Sequence, residues 1–303
     1  MFSIVIPTLN RSDMLDRALS SVSKQTDPDC EIVVVDDGSS EDEAARIAAS
    51  VAATSRARLV VQPRNGGASC ARNAGVAAST GEVVAFLDSD DWWMPERLSR
   101  HRALFLDPQV VASYNSAKVS RLGVIEKNEW VGRPPPSGFA PAISLAGWNY
   151  IGGCSLMCVR RTAFDAVGGF DTKLPAAEDW DLWIKIAQLG DIRFVNEHLG
   201  YYDAGPHTRL TTSHKKIIDA HEEIYRRAAM IPQTSKEKRY VAALHHWIRS
   251  EIALQFGEGR TSLQELAISI LTRPIGITIR RSRTLVPEAA AAVLHKLLSS
   301  GTA

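Results

Sequence analysis

The sequence predicts an α/β protein, a mostly parallel sheet flanked by helices, followed by a helical C-terminal extension. Three observations predict it. Through the first 90 residues, apolar strand-like runs alternate with segments of helical period, the pattern of right-handed βαβ units around a parallel sheet. Two of the runs, EIVVV at 31–35 and VVAFL at 83–87, are almost wholly apolar, as strands covered on both faces are. Beyond about residue 210 the periodicity is helical.

The elements follow in order. Residues 2–6 (FSIVI) read as a buried strand ended by Pro7. Residues 12–25 read as a helix, because Leu15, Ala18, Leu19 and Val22 recur at spacings of three and four. The second strand is 31–35. Ser40 and Glu43 stand at capping-box spacing and open a helix to about Ala53. A short strand at 59–61, a small-residue helix at 68–78 and the strand at 83–87 complete the alternation. It weakens from about 110. GRPPPSG at 132–138 is a loop. DWDLWIKIAQL at 179–189 is a helix ended by Gly190, and 192–195 is a strand. Helices are expected at 217–227, 240–256 and 263–271. Two regions result, an α/β domain at 1–210 and a helical extension at 211–303.

Composition bounds the function classes. The chain has 303 residues, 45% hydrophobic and 23% charged, which is globular rather than disordered. A net charge of +1 gives no strong attraction to nucleic acid. Charge is uneven: residues 1–210 hold 21 Lys/Arg and 26 Asp/Glu, and residues 211–303 hold 14 and 8. The basic part is the tail. Cys30, Cys70, Cys154 and Cys158 form no CxxC pair, so reduced thiols are expected. The opening MFSIVIP has no basic region and meets Pro7 early, unlike a secretion signal, and no apolar run reaches about 18 residues. A cytoplasmic protein is expected.

The chemistry lies at the strand ends. In open α/β sheets, ligands bind beyond the carboxyl ends of the strands. The segments there are PTLNR at 7–11, DDGS at 36–39, RNGG at 64–67 and DSDD at 88–91. Each alone reads as a turn or helix cap; four on one sheet edge make a ligand site. Three acids in four positions repel one another unless a cation or solvent intervenes. Mg²⁺ and Mn²⁺ favour carboxylates, phosphate oxygens and water. There is no GxxxxGK[ST] loop and no GxGxxG after the first strand, which disfavours P-loop and dinucleotide sites. A cation that itself holds a diphosphate fits the pattern.

FSIVIPTLNR, EIVVVDDGSSE, NGGASCARNAGVAASTGEVVAFLDSDDWWMPERL, VGGFD and AEDWDLWIKIAQLG together resemble, in order and spacing, the family 2 glycosyltransferases of GT-A fold. The resemblance covers roughly residues 2–205. It implies a Rossmann-like sheet across whose carboxyl edge a nucleotide-activated sugar, often a UDP-sugar, is laid. It implies that Pro7, Thr8, Asn10 and Arg11 border the nucleotide, that Asp37 hydrogen-bonds the base while Asp36 supports the loop, and that Gly66 and Arg72 line the nucleotide side. Asp88-Ser89-Asp90 resembles the DXD motif, with Asp90 the foremost ligand of Mn²⁺ or Mg²⁺ and Asp88 beside it at the metal and nucleotide. Glu178-Asp179 resembles the ED pair, with Asp179 the base that deprotonates the acceptor hydroxyl; the structural alternative is a first-turn acid stabilising a helix. Trp180 and Trp183 flank the pair as candidate walls for a sugar. Trp92 and Trp93 could wall the sugar or simply pack. Asp171 reads as structural. His207 stands where some related enzymes place a late metal ligand or a residue closing over the diphosphate, although a lone loop histidine is more often neither; the loop after the last sheet strand departs from the commonest family pattern, so the resemblance assigns Arg209 no role.

The implied reaction is inverting, metal-dependent transfer to a hydroxyl, in bacterial-type polysaccharide or glycolipid synthesis. The implied partners are a nucleotide-sugar donor and a saccharide or lipid-linked acceptor. In the tail, Lys215, Lys216, Arg226 and Arg227 read as a solvated helix face. Leu/Ile mixed with Arg273, Arg280, Arg281 and Arg283 suits an anionic membrane surface. Two competing functions remain in view. A sugar-1-phosphate nucleotidylyltransferase would want a Gly-rich phosphate loop with a nearby Lys, which TLNRSDM lacks. A sugar-nucleotide-binding module without catalysis would not need both Asp90 and Asp179.

Overall fold

The computed structural model describes residues 1–121, 123–205 and 213–273, and not the side chain of Asn128. His207, Arg209, Arg280, Arg281 and Arg283 lie outside the described residues. The chain divides into two compact units: Met1–Leu145 with Asn149–Leu210, and Ala146–Trp148 with Thr211–Ala303.

The first unit is built on one mixed sheet. Strands β1 (Phe2–Thr8), β2 (Cys30–Asp36), β3 (Ala57–Val61) and β4 (Val83–Phe86) are parallel, in the order β3-β2-β1-β4. Helices α1 (Ser12–Ser23), α2 (Glu41–Ala52) and α3 (Ala68–Ala78) connect them. Strand β5 (Trp92–Trp93), helix α4 (Arg97–Arg102) and the hairpin of β6 (Val110–Arg121) and β7 (Val124–Val131) follow. Helix α5 (Pro141–Gly147), strand β8 (Met157–Arg160), helices α6 (Arg161–Ala166) and α7 (Glu178–Ile186) and strand β9 (Asp191–Asp203) come next. β8 is antiparallel to both β4 and β6, and β9 is parallel to β6. The carboxyl ends of β6 and β9 therefore share the sheet edge used by β1 to β4. That placement brings Asp203, the last residue of β9, to the loop after β4.

Alternation along β1 sorts the core. Phe2, Ile4 and Ile6 join Leu15, Leu19 and Val22 of α1 in one buried cluster, each such side chain worth about 1.5–3 kcal/mol in burial. Val5 faces the other way, against Gly75 of α3. A Cβ at Gly75 would stand 2.4 Å from Val5 Cγ1, so only glycine lets the helix lie this close.

Two local expectations are corrected. β1 does not end at Pro7; it pairs through Pro7↔Val35 and Thr8↔Asp36. Val5 O accepts from Leu87 N and Thr8 O from Asp37 N, so Pro7 shares Val5's side of the strand. Its missing N–H falls beyond Val5↔Phe86, where pairing with β4 has ended. The capping box at Ser40 does not form. Ser40 makes no side-chain cap, and Glu43 Oε2 accepts from Ser12 N at 2.9 Å, serving the start of α1. A true capping box occurs at α9 (Ser235–Gln255), where Thr234 Oγ1 accepts from Glu237 N and Glu237 Oε2 from Thr234 N.

The second unit contains α8 (His214–Ala228), α9 and α10 (Gly259–Thr272). Its interior is partly polar. His245 and His221 stack at 4.9 Å with Nδ1 and Nε2 3.0 Å apart. Burial holds both imidazoles below their ordinary value, His245 down to about 3. His246 and Arg249 both bond Glu265, at 2.7 and 2.8 Å. Lys215 pairs with Asp219, and Arg226 and Arg227 with Glu223; Lys215 and Arg226 are 83% and 72% exposed, as a solvated face is.

Candidate active site

The four strand-end segments meet at one edge and are tied to each other by hydrogen bonds. Asn10, at φ +52°, accepts from Ser40 N at 2.8 Å through Oδ1, and its own N–H donates to Ser39 Oγ at 2.9 Å. Asp36 Oδ1 accepts from Ser39 N at 3.0 Å. Asp37 receives Gly66 N–H and Gly67 N–H on its two oxygens, each at 2.8 Å. Burial raises its carboxyl above the ordinary range, and those two donors pull it back. Gly38, at φ +81°, lets the second segment touch the third: a Cβ there would lie 2.6 Å from Asn65 N. Thr8 is buried, and its Oγ1 has no partner among the described residues.

Three arginines hold the acidic side. Arg11 Nη1 donates to Asp90 Oδ2 at 2.8 Å. Arg17 of α1 donates to the Asp90 carbonyl and, at 2.9 Å, to Asp203 Oδ2, with its guanidinium 3.9 Å over the Trp92 ring. Arg72 of α3 is buried and forked: Nη2 donates to Asp88 Oδ1 at 2.7 Å and Nη1 to Glu178 Oε1 at 2.9 Å. One guanidinium thus joins the DXD segment to the ED pair, residues 90 positions apart in sequence. The neighbouring Asn73 clamps the GGFD loop, accepting from Phe170 N at 3.0 Å and donating to Phe170 O at 2.8 Å. Asp171 accepts from Lys173 N at 2.9 Å within that loop.

Carboxylates still dominate. Burial, then the charge of Asp88, hold the Asp90 carboxyl above its ordinary range, and Arg11 opposes them. Asp91 is held well above it by burial and Asp90, although Asp203 N–H donates to it at 2.8 Å. Asp179 is pushed up to about 7 by burial and then by Glu178. A first-turn position should favour the charged form through the helix dipole; here desolvation wins. The cap of α7 is Ala177, at φ +56°, with no side-chain cap bond. Asp179 instead accepts from Trp180 N at 2.6 Å.

The tryptophans do not wall a sugar at the ED pair. Trp180 is 7% exposed with its indole N–H on Leu145 O at 2.6 Å. Trp183 is fully buried against Phe86 and Phe170. Their helical spacing serves the core. Trp92 stacks on Tyr201 at 4.9 Å, and Trp93 is buried with Arg97 3.8 Å over its ring. Arg17, Ser155 and Asp203 belong to the site and carry no motif that marks them.

The residues fit a hard divalent cation. Asp88 and Asp90 offer carboxylate oxygens on one loop, where burial and mutual repulsion make a positive charge favourable. Among the described residues no group of three His, Cys, Asp or Glu completes a protein cage. That suits an ion which takes its other ligands from a diphosphate and water.

The family model "Glycosyl transferase family 2" matches residues 3–168. An uncharacterized glycosyltransferase of Haemophilus influenzae is 30% identical over 236 residues, spanning 74% of this chain and 77% of that one. The Escherichia coli UDP-Glc:alpha-D-GlcNAc-diphosphoundecaprenol beta-1,3-glucosyltransferase WfgD is 28% identical over 199 residues, 65% of this chain and 73% of its own. In fold, S. aureus TarS 1-349 in complex with UDP-GlcNAc matches with a TM-score of 0.65 at 20% identity, over 96% of this chain and 83% of that one. With a matching family model over more than half its length and a GT-A sheet, the chain belongs to the family 2 glycosyltransferases.

Proposed function

We propose that the chain transfers a sugar from a nucleotide-sugar donor, a UDP-sugar, to a hydroxyl of a saccharide or lipid-linked acceptor, with inversion and with Mn²⁺ or Mg²⁺. The carrying observation is the Arg72 bridge, which sets Asp88 and Glu178-Asp179 around one guanidinium. Residues 1–210 form the catalytic domain in this reading, and residues 211–303 a helical extension. Pro7, Thr8, Asn10, Arg11, Asp37, Gly66 and Arg72 border the nucleotide. Each Asp37 oxygen has a second lone pair for the base. Asp88 and Asp90 hold the cation, which supplies positive charge against the departing diphosphate. Asp179 takes the acceptor's proton, and attack opposite the leaving group inverts the anomeric carbon.

The UDP-GlcNAc held by TarS and the lipid diphosphate in the name of WfgD support this reading. Bacterial cell-surface polysaccharide or glycolipid synthesis is the setting we infer, at the inner face of the membrane. A melting-temperature screen of nucleotide sugars with and without Mn²⁺ tests the donor. At 100 times its Kd a ligand adds about 2.7 kcal/mol, at about 2–4 °C per kcal/mol for a domain of this size. UDP-sugars are expected to raise the melting temperature, and to do so more in Mn²⁺. A screen in which only another base responds overturns the UDP assignment.

No helix among the described residues is long and apolar enough to cross a membrane. Peripheral contact through the C-terminal region is the arrangement we propose. Leu263, Ile268 and Leu271 on α10 are exposed, Leu271 by 82%, and residues 211–303 carry the basic excess. Full-length chain is expected to pellet with anionic vesicles more than residues 1–258 do. Equal pelleting removes the membrane contact.

A further inference from the structure

The segment 88–93 must present two carboxylates side by side although they repel. Much of its fastening comes from one residue of the stretch 110–155, which carries no readable motif. Ser155 lies in the short 3-10 turn Cys154–Leu156, buried at 7% exposure. Asp88 N–H donates to its Oγ at 2.9 Å. The Ser155 carbonyl accepts the Trp93 indole N–H at 2.9 Å. The first and sixth residues of 88–93 are therefore tied to a single residue. Two further contacts stiffen the arrangement: Arg97 lies 3.8 Å over the Trp93 ring, and Asp91 receives Asp203 N–H at 2.8 Å.

We propose that Ser155 is a positioning residue for donor binding: it fixes the backbone from which Asp88 and Asp90 project, and so sets the separation of their carboxylates. The inference rests on the reading of Asp88 and Asp90 as the cation and diphosphate residues. Ser155 acts through that backbone, not on the donor. Its substitution should therefore weaken the cation-dependent part of nucleotide binding and leave the base-recognition part alone, since Asp37, Gly66 and Gly67 form a separate hydrogen-bonded group.

The test uses the full chain, UDP as probe, and calorimetric titration with and without Mn²⁺. Ser155→Ala is expected to weaken UDP binding in Mn²⁺ by roughly tenfold, the worth of one buried hydrogen bond, with metal-free UDP affinity unchanged. Trp93→Phe keeps the ring under Arg97 but removes the indole N–H; it is expected to shift the same quantity in the same direction by a few-fold, and it decides the matter if Ser155→Ala does not fold. Equal weakening with and without Mn²⁺ would show a general structural role and overturn the proposal. Native Mn²⁺-dependent affinity in Ser155→Ala, beside a clear loss in Asp90→Ala, also overturns it. Native affinity in Asp90→Ala overturns instead the reading on which it rests.

Discussion

Asp179→Asn is expected to keep a nearly native donor dissociation constant and to lose roughly 10²–10⁴-fold in kcat, the usual worth of a positioned base. Asparagine retains the size of the side chain and an oxygen for Trp180 N–H, now at 2.6 Å. It cannot take a proton at neutral pH. An acid that merely satisfied the open end of α7 would be replaced by asparagine without loss, since asparagine is itself a good residue at helix starts. The pH profile separates the readings further. The carboxyl is pushed up to about 7 by burial and Glu178, so it is protonated and idle below that value and ionised above it. Turnover of the native chain should climb with pH through about 7 and then level, and the residual turnover of Asp179→Asn should lack that limb. Donor titration and transfer assays on one preparation check both points. Native turnover in the variant would move the base to another acid, with Glu178 next.

The part of the site that was legible in the sequence is the part written in adjacent residues. DXD, ED and NGG are short motifs; DXD and NGG follow parallel strands dominated by apolar residues, and ED opens the amphipathic helix α7. Arg17 and Ser155 are different. Arg17 finds Asp203 across 186 positions, and Ser155 finds Asp88 across 67; nothing in their neighbours marks them. Strand β6 was hidden for a related reason. Its Ser113, Asn115 and Ser116 are buried, so its sequence lacks the apolar run of a central strand. They are satisfied by distant groups: His101 lies 2.7 Å from Ser113 Oγ, Arg97 donates to Asn115 Oδ1 at 3.1 Å, and Ser116 donates to Gly132 O at 2.7 Å. Trp180 and Trp183 show the reverse error. Beside two carboxylates they look like a sugar platform, yet the same spacing puts them on the buried face of α7 with Ile184 and Ala187. Helical period outranks sequence adjacency there, because a buried indole gains more from the core than from an open cleft.

Asp90→Ala is expected to abolish most transfer while leaving the fold intact. Removing one preorganised charge-stabilising group from an active site costs on the order of 10²–10³-fold in kcat, and Asp90 also fixes Arg11 at 2.8 Å, so a loss at the upper end is expected. The fold should not suffer. The Asp90 carboxyl is held above its ordinary range by burial and by Asp88, so its charged form is less favoured in the folded chain than in the unfolded one. Deleting it relieves that repulsion, and Asp88 keeps its own partner in Arg72 at 2.7 Å. The melting temperature of the variant should therefore equal or exceed the native value. Two measurements check the assignment: transfer with added Mn²⁺, and transfer after EDTA. The native chain should lose turnover in EDTA and regain it with Mn²⁺, whereas Asp90→Ala should respond weakly to either. A variant that turns over at the native rate in EDTA would show that neither Asp90 nor a divalent cation carries the departing charge, and would leave that task to Arg11 and Arg72.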